Sequence, residues 1–220
     1  VDKSAYTCNV TINILVSDAD LVGAGTQDVT VTAGADVETV TLTETPPSSG
    51  TFSGSINTSG SGGSSGDGTH NIVDGDTITI PSSDQSFCGP PQDVTITADA
   101  DCAAPTISNV QATNVFVNNA TITWGTNENT NSRVTYAVAP GPPSTNVDDL
   151  LNYVTAHSIL LTGLTPCTDY VYSVTSVDPA GNSVTDDNGG AFYTFTTIDS
   201  AAIFTDDAES GLGNWVTGGG

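Results

Sequence analysis

Between Ala120 and Tyr172 apolar and polar residues alternate with the period of a half-buried strand. The pieces are Ala120-Thr-Ile-Thr-Trp124, Arg133-Val-Thr-Tyr136, His157-Ser-Ile-Leu-Leu-Thr-Gly-Leu164-Thr-Pro166 and Tyr170-Val-Tyr172. The same alternation recurs upstream in Thr11-Ile-Asn-Ile-Leu-Val16, Asp28-Val-Thr-Val-Thr32, Glu38-Thr-Val-Thr-Leu-Thr43, Asp76-Thr-Ile-Thr-Ile80 and Asp93-Val-Thr-Ile-Thr-Ala98. Gly50-Thr-Phe-Ser-Gly-Ser-Ile56 adds a strand whose glycines suggest bends. Ala33-Gly-Ala-Asp36 has the composition of a hairpin turn. Thr and Val dominate, Met is absent and no long Leu/Ala/Glu/Lys stretch occurs, so the chain reads as all-β. Only Asn146-Val-Asp-Asp-Leu-Leu-Asn152 reads as a helical turn, within a long loop that Pro140-Gly-Pro-Pro143 opens. At 220 residues the chain is too long for one sandwich of about 100 residues and right for two.

Acidic residues number 25 and are opposed by only Lys3 and Arg133, which leaves a net charge of −23. Such a surface repels nucleic acid and anionic lipid, so neither is an expected partner. It attracts divalent cations; solubility in a crowded or salty exterior is the competing explanation of the charge. No segment approaches the ~20 apolar residues of a membrane span. The N-terminus has no signal pattern, so either a signal peptide has been removed or the chain is an excised piece. The four cysteines, at 8, 88, 102 and 167, match no zinc spacing, and their setting in a Thr/Ser/Gly-rich chain points to disulfides and an extracellular or cell-surface location. Asn9-Val-Thr, Asn57-Thr-Ser and Asn119-Ala-Thr are glycosylation sequons by pattern.

Several anchors in the second half fall in order at strand spacing and resemble a fibronectin type III domain over about residues 105–197. In that likeness Trp124 is the core Trp, while Leu164 and Tyr170 form the tyrosine corner. Val177-Asp-Pro-Ala-Gly-Asn182 is the hairpin turn, and Ala191-Phe-Tyr-Thr-Phe-Thr-Thr197 the last strand. Residues 1–104 count about seven strands, the number of an immunoglobulin-like sandwich. They also resemble a repeat of large secreted and surface proteins of bacteria, through Tyr6-x-Cys8, Ser17-Asp-Ala-Asp-Leu21, Glu38-Thr-Val-Thr-Leu-Thr-Glu44, Gly50-x-Phe-x-Gly-x-Ile56 and Asp74-Gly-Asp76. Asp99-Ala-Asp-Cys-Ala-Ala-Pro105 is a short junction. The expected architecture is therefore two tandem antiparallel β-sandwiches, immunoglobulin-like and then fibronectin type III-like. Residues 198–220 form a C-terminal extension. There Ile203-Phe-Thr-Asp-Asp-Ala-Glu-Ser-Gly-Leu-Gly-Asn-Trp215 resembles the opening of a jelly-roll domain, either truncated or serving as an extra strand that pairs with a neighbour.

Candidate chemistry centres on carboxylates. Asp18 and Asp20 follow a strand, Glu44 ends another, and Asp74 and Asp76 flank a Gly in a turn. Calcium takes six to eight oxygens from loops of this kind, and convergence of Asp18, Asp20 and Glu44 would suit a structural calcium. The alternative is that Asp favours turns and strand ends because its side chain caps the local backbone. His70 and His157 lie in different modules, and no nucleophile elbow, His-Glu-x-x-His pair or phosphate loop appears. Ser59 to Gly68 is Gly/Ser-rich, lacks the basic residues that hold phosphate, and reads as a mobile loop. In a sandwich whose first and last strands run parallel, Cys8 and Cys102 would meet at one end, leaving Cys88 and Cys167 free or joining successive copies. The alternative pairs Cys8 with Cys88 and Cys102 with Cys167. The resulting expectation is a non-catalytic structural or adhesive module of a secreted or cell-surface prokaryotic protein, or the subunit of an extracellular fibre. Its partners would be neighbouring domains, identical subunits or glycans. The competing expectation is the accessory region of a secreted hydrolase acting on protein or glycan.

Overall fold

In the computed structural model, which describes residues 1–84 and 92–199, the chain is all-β and forms two compact units. Among the described residues, the first holds Val1–Thr106, Asn127–Asn131 and Ser176–Val184; the second holds Ile107–Thr126, Ser132–Thr175 and residues 185–199. A single 3-10 turn, Ala19–Leu21, is the helical element among the described residues.

The first unit contains β1 (Ala5–Tyr6), β2 (Thr11–Ser17), β3 (Thr26–Ala33), β4 (Asp36–Glu44), β5 (Thr51–Ser59), β6 (Thr69–Asn71), β7 (Thr77–Asp84) and β8 (Gln92–Ala100). Their hydrogen-bonded order is β1-β8-β7-β3-β4-β5-β2, with β6 beside β5. The two ends of this path share one core: Tyr6 from β1 and Ile12 and Ile14 from β2 pack with Val31, Leu42, Phe52, Ile78 and Ala98. Most ladders are antiparallel. The exceptions are β5 with β6 and the two-residue pairing of β1 with β8, Ala5 opposite Asp99 and Tyr6 opposite Ala100. That parallel pairing brings Cys8 and Cys102 to the same end, where they form a disulfide with Cα atoms 5.0 Å apart. The Tyr6 hydroxyl donates to Asp2, which also accepts from Asn13 of β2, so the N-terminus ties the two ends of the path together.

The inner face of β4 is unusual. Its burial alternates strictly, and the inward positions are Asp36, Glu38, Val40, Leu42 and Glu44. Buried carboxylates persist only with full hydrogen-bond partners. Glu44 accepts from the backbone N–H groups of Gly23, Gly25 and Gly50 at 2.8–3.2 Å. Glu38 accepts from those of Gly66, Asp67 and Gly68. Asp36 accepts from Asn71 N–H and the Ser65 hydroxyl. The Gly/Ser stretch 59–68, expected to be a mobile loop, is instead folded onto β4. Its glycine amides cradle an internal carboxylate, a task that needs no Lys or Arg.

The second unit is built on β9 (Ile107–Thr113), β10 (Asn119–Val138), β11 (Thr145–Thr162), β12 (Asp169–Val177), β13 (Ser183–Asp186) and β14 (Tyr193–Thr196), except that residues 127–131 of β10 and the end of β12 with the start of β13 belong to the first unit. Their order is β11-β10-β12-β13, with β9 on β10 and β14 on β12. The alternating pieces 120–124 and 133–136 belong to one continuous β10. Its first half pairs with β9 and its second with β12. Ala120, Ile122, Trp124, Val134, Leu161, Leu164, Tyr170, Tyr172 and Phe195 form the core. The Tyr170 hydroxyl accepts from Thr165 N–H at 2.8 Å, closing the tyrosine corner. Residues 146–152, expected as a helical turn in a long loop, are strand. Thr135 donates to Asn146 and Arg133 to Asp148 across the β10–β11 hairpin. These cross-strand pairs favour the ladder over a helix. The Pro-rich connection is correspondingly short, running only from Ala139 to Ser144.

Candidate metal centre

Three carboxylates converge in the first unit: Asp101, just beyond β8, Glu128, and Asp178. One carboxylate oxygen from each lies within 4.8 Å of the others, the only such group of three potential ligands found among the described residues. The local fold places each of them. Asp101 N–H donates to the carbonyl of Tyr6, which fixes the chain leaving β8. Asp178 is 1% exposed and organises the hairpin turn, accepting from Gly181 N–H, Asn182 N–H and the Asn182 side-chain amide. The same Asn182 amide donates to the Asp101 carbonyl, so one side chain bridges both segments.

The electrostatics of this group favour a positive charge. Burial, followed by the nearby charges of Asp178 and Asp74, raises the pKa of Asp101 above the usual carboxylate value. Burial, then Asp101 and Asp178, does the same for Glu128. Arg133, one of the chain's two bases, is paired with Asp148. A hard divalent cation would offset the repulsion and suits an all-oxygen donor set; carbonyls or water would complete its six to eight ligands. Asp101, Glu128 and Asp178 are the residues that would hold it.

The carboxylates singled out in the sequence are arranged differently. Asp18 caps the 3-10 turn by accepting from Asp20 N–H. Glu44 lies at the same end of the unit, but its oxygens accept three glycine N–H groups, which hold its pKa down at about 2. Asp18, Asp20 and Glu44 therefore do not form a three-ligand cluster. Asp76 accepts from Val73 N–H and lines a cleft of about 350 Å³ with Gly34, Asp36, Ser65 and Asn71. Asp74 accepts from Cys102 N–H and is the one sequence candidate close enough to raise the pKa of Asp101 and Glu128. Neither Glu128 nor Asp178 stood out in the sequence. Their only signals were an acid inside a polar strand segment and an Asp opening a Pro-Ala-Gly turn.

Both histidines are buried parts of the packing. His157 stacks on Trp124 with ring centroids 4.8 Å apart, between the hydroxyls of Thr126 and Ser132 at 3.0 and 2.8 Å. Burial lowers its pKa. His70 is fully buried with Nδ1 3.1 Å from an Asp36 oxygen, close for an ion pair but outside hydrogen-bond geometry. Cys167 is a free, exposed thiol in the corner turn. Cys88 and the extension from residue 200 onward lie outside the described residues. Asn9 and Asn57 are exposed; Asn119, partly buried, opens β10.

The fold is that of two immunoglobulin/fibronectin-like β-sandwiches in succession along the chain. The chain is similar in fold to the FN1–FN3 domains of chicken CNTN1, with 15% identity and a TM-score of 0.56 over 90% of this chain and 62% of that one. It thus spans under two thirds of that three-domain structure. Domains A168–A170 from titin are matched at 13% identity and a TM-score of 0.45, over 83% of this chain and 57% of that one. No protein-family model matches the sequence, and no curated protein matches it. No helix among the described residues is long and apolar enough to cross a membrane.

Proposed function

We propose that the chain is a non-catalytic structural or adhesive segment of a secreted or cell-surface prokaryotic protein, with identical copies building an extracellular fibre. The observation that carries this reading is the pair of sandwiches, the first clamped by a disulfide between the segments that follow β1 and β8. A disulfide favours an oxidising exterior. A surface with 25 acids and two bases stays dissolved there and offers few sites to trypsin-like proteases. Both imidazoles are buried in packing, which leaves neither as an accessible general base. Calcium bound by Asp101, Glu128 and Asp178 completes the proposal, holding segments 127–131 and 176–184 to the end of β8.

Light scattering and electron microscopy of the purified protein, with and without reductant and chelator, test this reading. Long regular particles are expected, and their loss in chelator or reductant identifies what holds them. A ~22 kDa monomer under every condition overturns the fibre. Calcium is expected to raise the melting temperature of the wild type but not of Asp101→Asn/Glu128→Gln. An equal response in both proteins would refute the site.

A further inference from the structure

We propose that the outer edge of β11 pairs antiparallel with the same edge of a second copy of this chain. β11 ends the sheet order of the second unit, and β10 is its one neighbouring strand among the described residues. Among the described residues no further strand pairs with its far side. Sheets usually blunt such an edge with Lys, Pro or an inward charge. From Leu150 to Ala156 the strand reads Leu-Leu-Asn-Tyr-Val-Thr-Ala and has none of these.

Its apolar side chains are also uncovered. Leu151 is 91% exposed, and Leu150, Tyr153 and Val154 are exposed as well. By alternation Leu151 and Tyr153 lie on one face of the strand, and Leu150 and Val154 on the other. A ligand seated on one face would leave the other bare. A strand added at the edge brings cross-strand neighbours to both faces at once.

Charge selects the occupant. On a chain with 25 acids and two bases, most surfaces meet their own kind with repulsion. Leu150–Ala156 is an uncharged window of a length known to self-pair. Asp148 beside it is held by a two-pronged contact from Arg133 at 2.7 and 2.9 Å, and Asp149 accepts from Asn152. With a two-fold axis at Tyr153, Leu150 faces Ala156, Leu151 faces Thr155 and Asn152 faces Val154. Asp149 and Asp148 then fall opposite His157 and Ser158, so no carboxylate meets a carboxylate. An axis at Asp148 or Asp149 would oppose like charges directly, so repulsion helps set the register. The contact stands without the fibre reading. A two-fold pairing closes on itself, and a fibre needs a second, different contact.

The test uses the full chain carrying Cys88→Ser and Cys167→Ser. Light scattering over rising concentration is expected to show monomer passing to dimer, and Leu151→Asp to keep the protein monomeric with an unchanged melting temperature. Tyr153→Cys is expected to form a disulfide-linked dimer under mild oxidation; Thr39→Cys, exposed on β4, is not. A monomer at all concentrations overturns the contact. So does a dimer that survives Leu151→Asp, or cross-linking at Thr39→Cys as fast as at Tyr153→Cys. Long particles persisting in Leu151→Asp would overturn the edge pairing and leave the fibre standing. A Leu151-dependent dimer that never grows longer would do the reverse.

Discussion

Removing the Cys8–Cys102 bridge by Cys8→Ser/Cys102→Ser should destabilise the first unit by an amount that chain statistics set. The two residues are 94 apart in sequence, so the bridge closes nearly the whole unit. In the chain-entropy treatment a loop of about 95 residues removes about 16 cal/mol/K from the unfolded ensemble, or about 4.7 kcal/mol at 25 °C. For a domain of this size that corresponds to a melting temperature lower by roughly 20 °C. In the folded state the loss is local, because β1 and β8 pair over two residues and Tyr6 remains buried and bonded to Asp2. Most of the effect therefore acts through the unfolded chain. The slope of a urea titration should rise, as unfolding exposes more surface once the cross-link is gone. The assay compares circular dichroism with Trp fluorescence in a Cys88→Ser/Cys167→Ser/Trp215→Phe background. Trp124 is then the lone Trp and reports the core of the second unit. A loss below about 1 kcal/mol, or a fluorescence transition that moves as far as the circular dichroism transition, would refute the reasoning.

Tyr170→Phe should cost the second unit about 1–2 kcal/mol, because Thr165 N–H loses its acceptor while the ring keeps its place; urea denaturation gives the value. Burial depresses the His157 pKa, so its contribution is fully present above the unfolded value near 6.5 and is lost as pH falls through the folded value. Acid melts of the second unit should show that loss in the wild type and not in His157→Phe. Glu44 titrates at about 2 against 4.5 unfolded, so its contribution is present above pH 4.5 and fades as pH falls toward 2. Glu44→Gln should flatten the first unit's stability over that range. Asp101 and Glu128 have the opposite sign: their raised values mean that, without a cation, stability falls as pH climbs above the ordinary carboxylate range. Added calcium should remove that decline, and a metal-independent profile would count against the site.

What the sequence disclosed and what it hid divide along contact range. Trp124, Leu164 and Tyr170 are legible because they resemble, in order, the anchors of a fibronectin type III domain, and Tyr170 closes the corner on Thr165 only five residues away. Cys8 and Cys102 are far apart, yet their meeting follows from one topological premise, the parallel first and last strands. The inward acids of β4 have no such shortcut. In Asp36-Val-Glu-Thr-Val-Thr-Leu-Thr-Glu44 the alternation says that acids and apolar residues share a face. It does not say that the face is buried, because most of the glycines that make burial tolerable arrive from 19 and 21 residues before Glu44 and 28 to 30 after Glu38, with Gly50 alone nearby. The Gly/Ser stretch reads as mobile for the same reason: its composition matches a free linker, and contacts with Glu38 and Asp36 make it a fixed turn. Asp101, Glu128 and Asp178 come from three separate segments and share no motif. Their signal is a deficit elsewhere, since a chain with two bases cannot neutralise every buried cluster from within. Periodicity records which face of a strand turns inward. The partner that returns to meet that face is a property of the fold, and the carboxylates of this chain take most of their meaning from it.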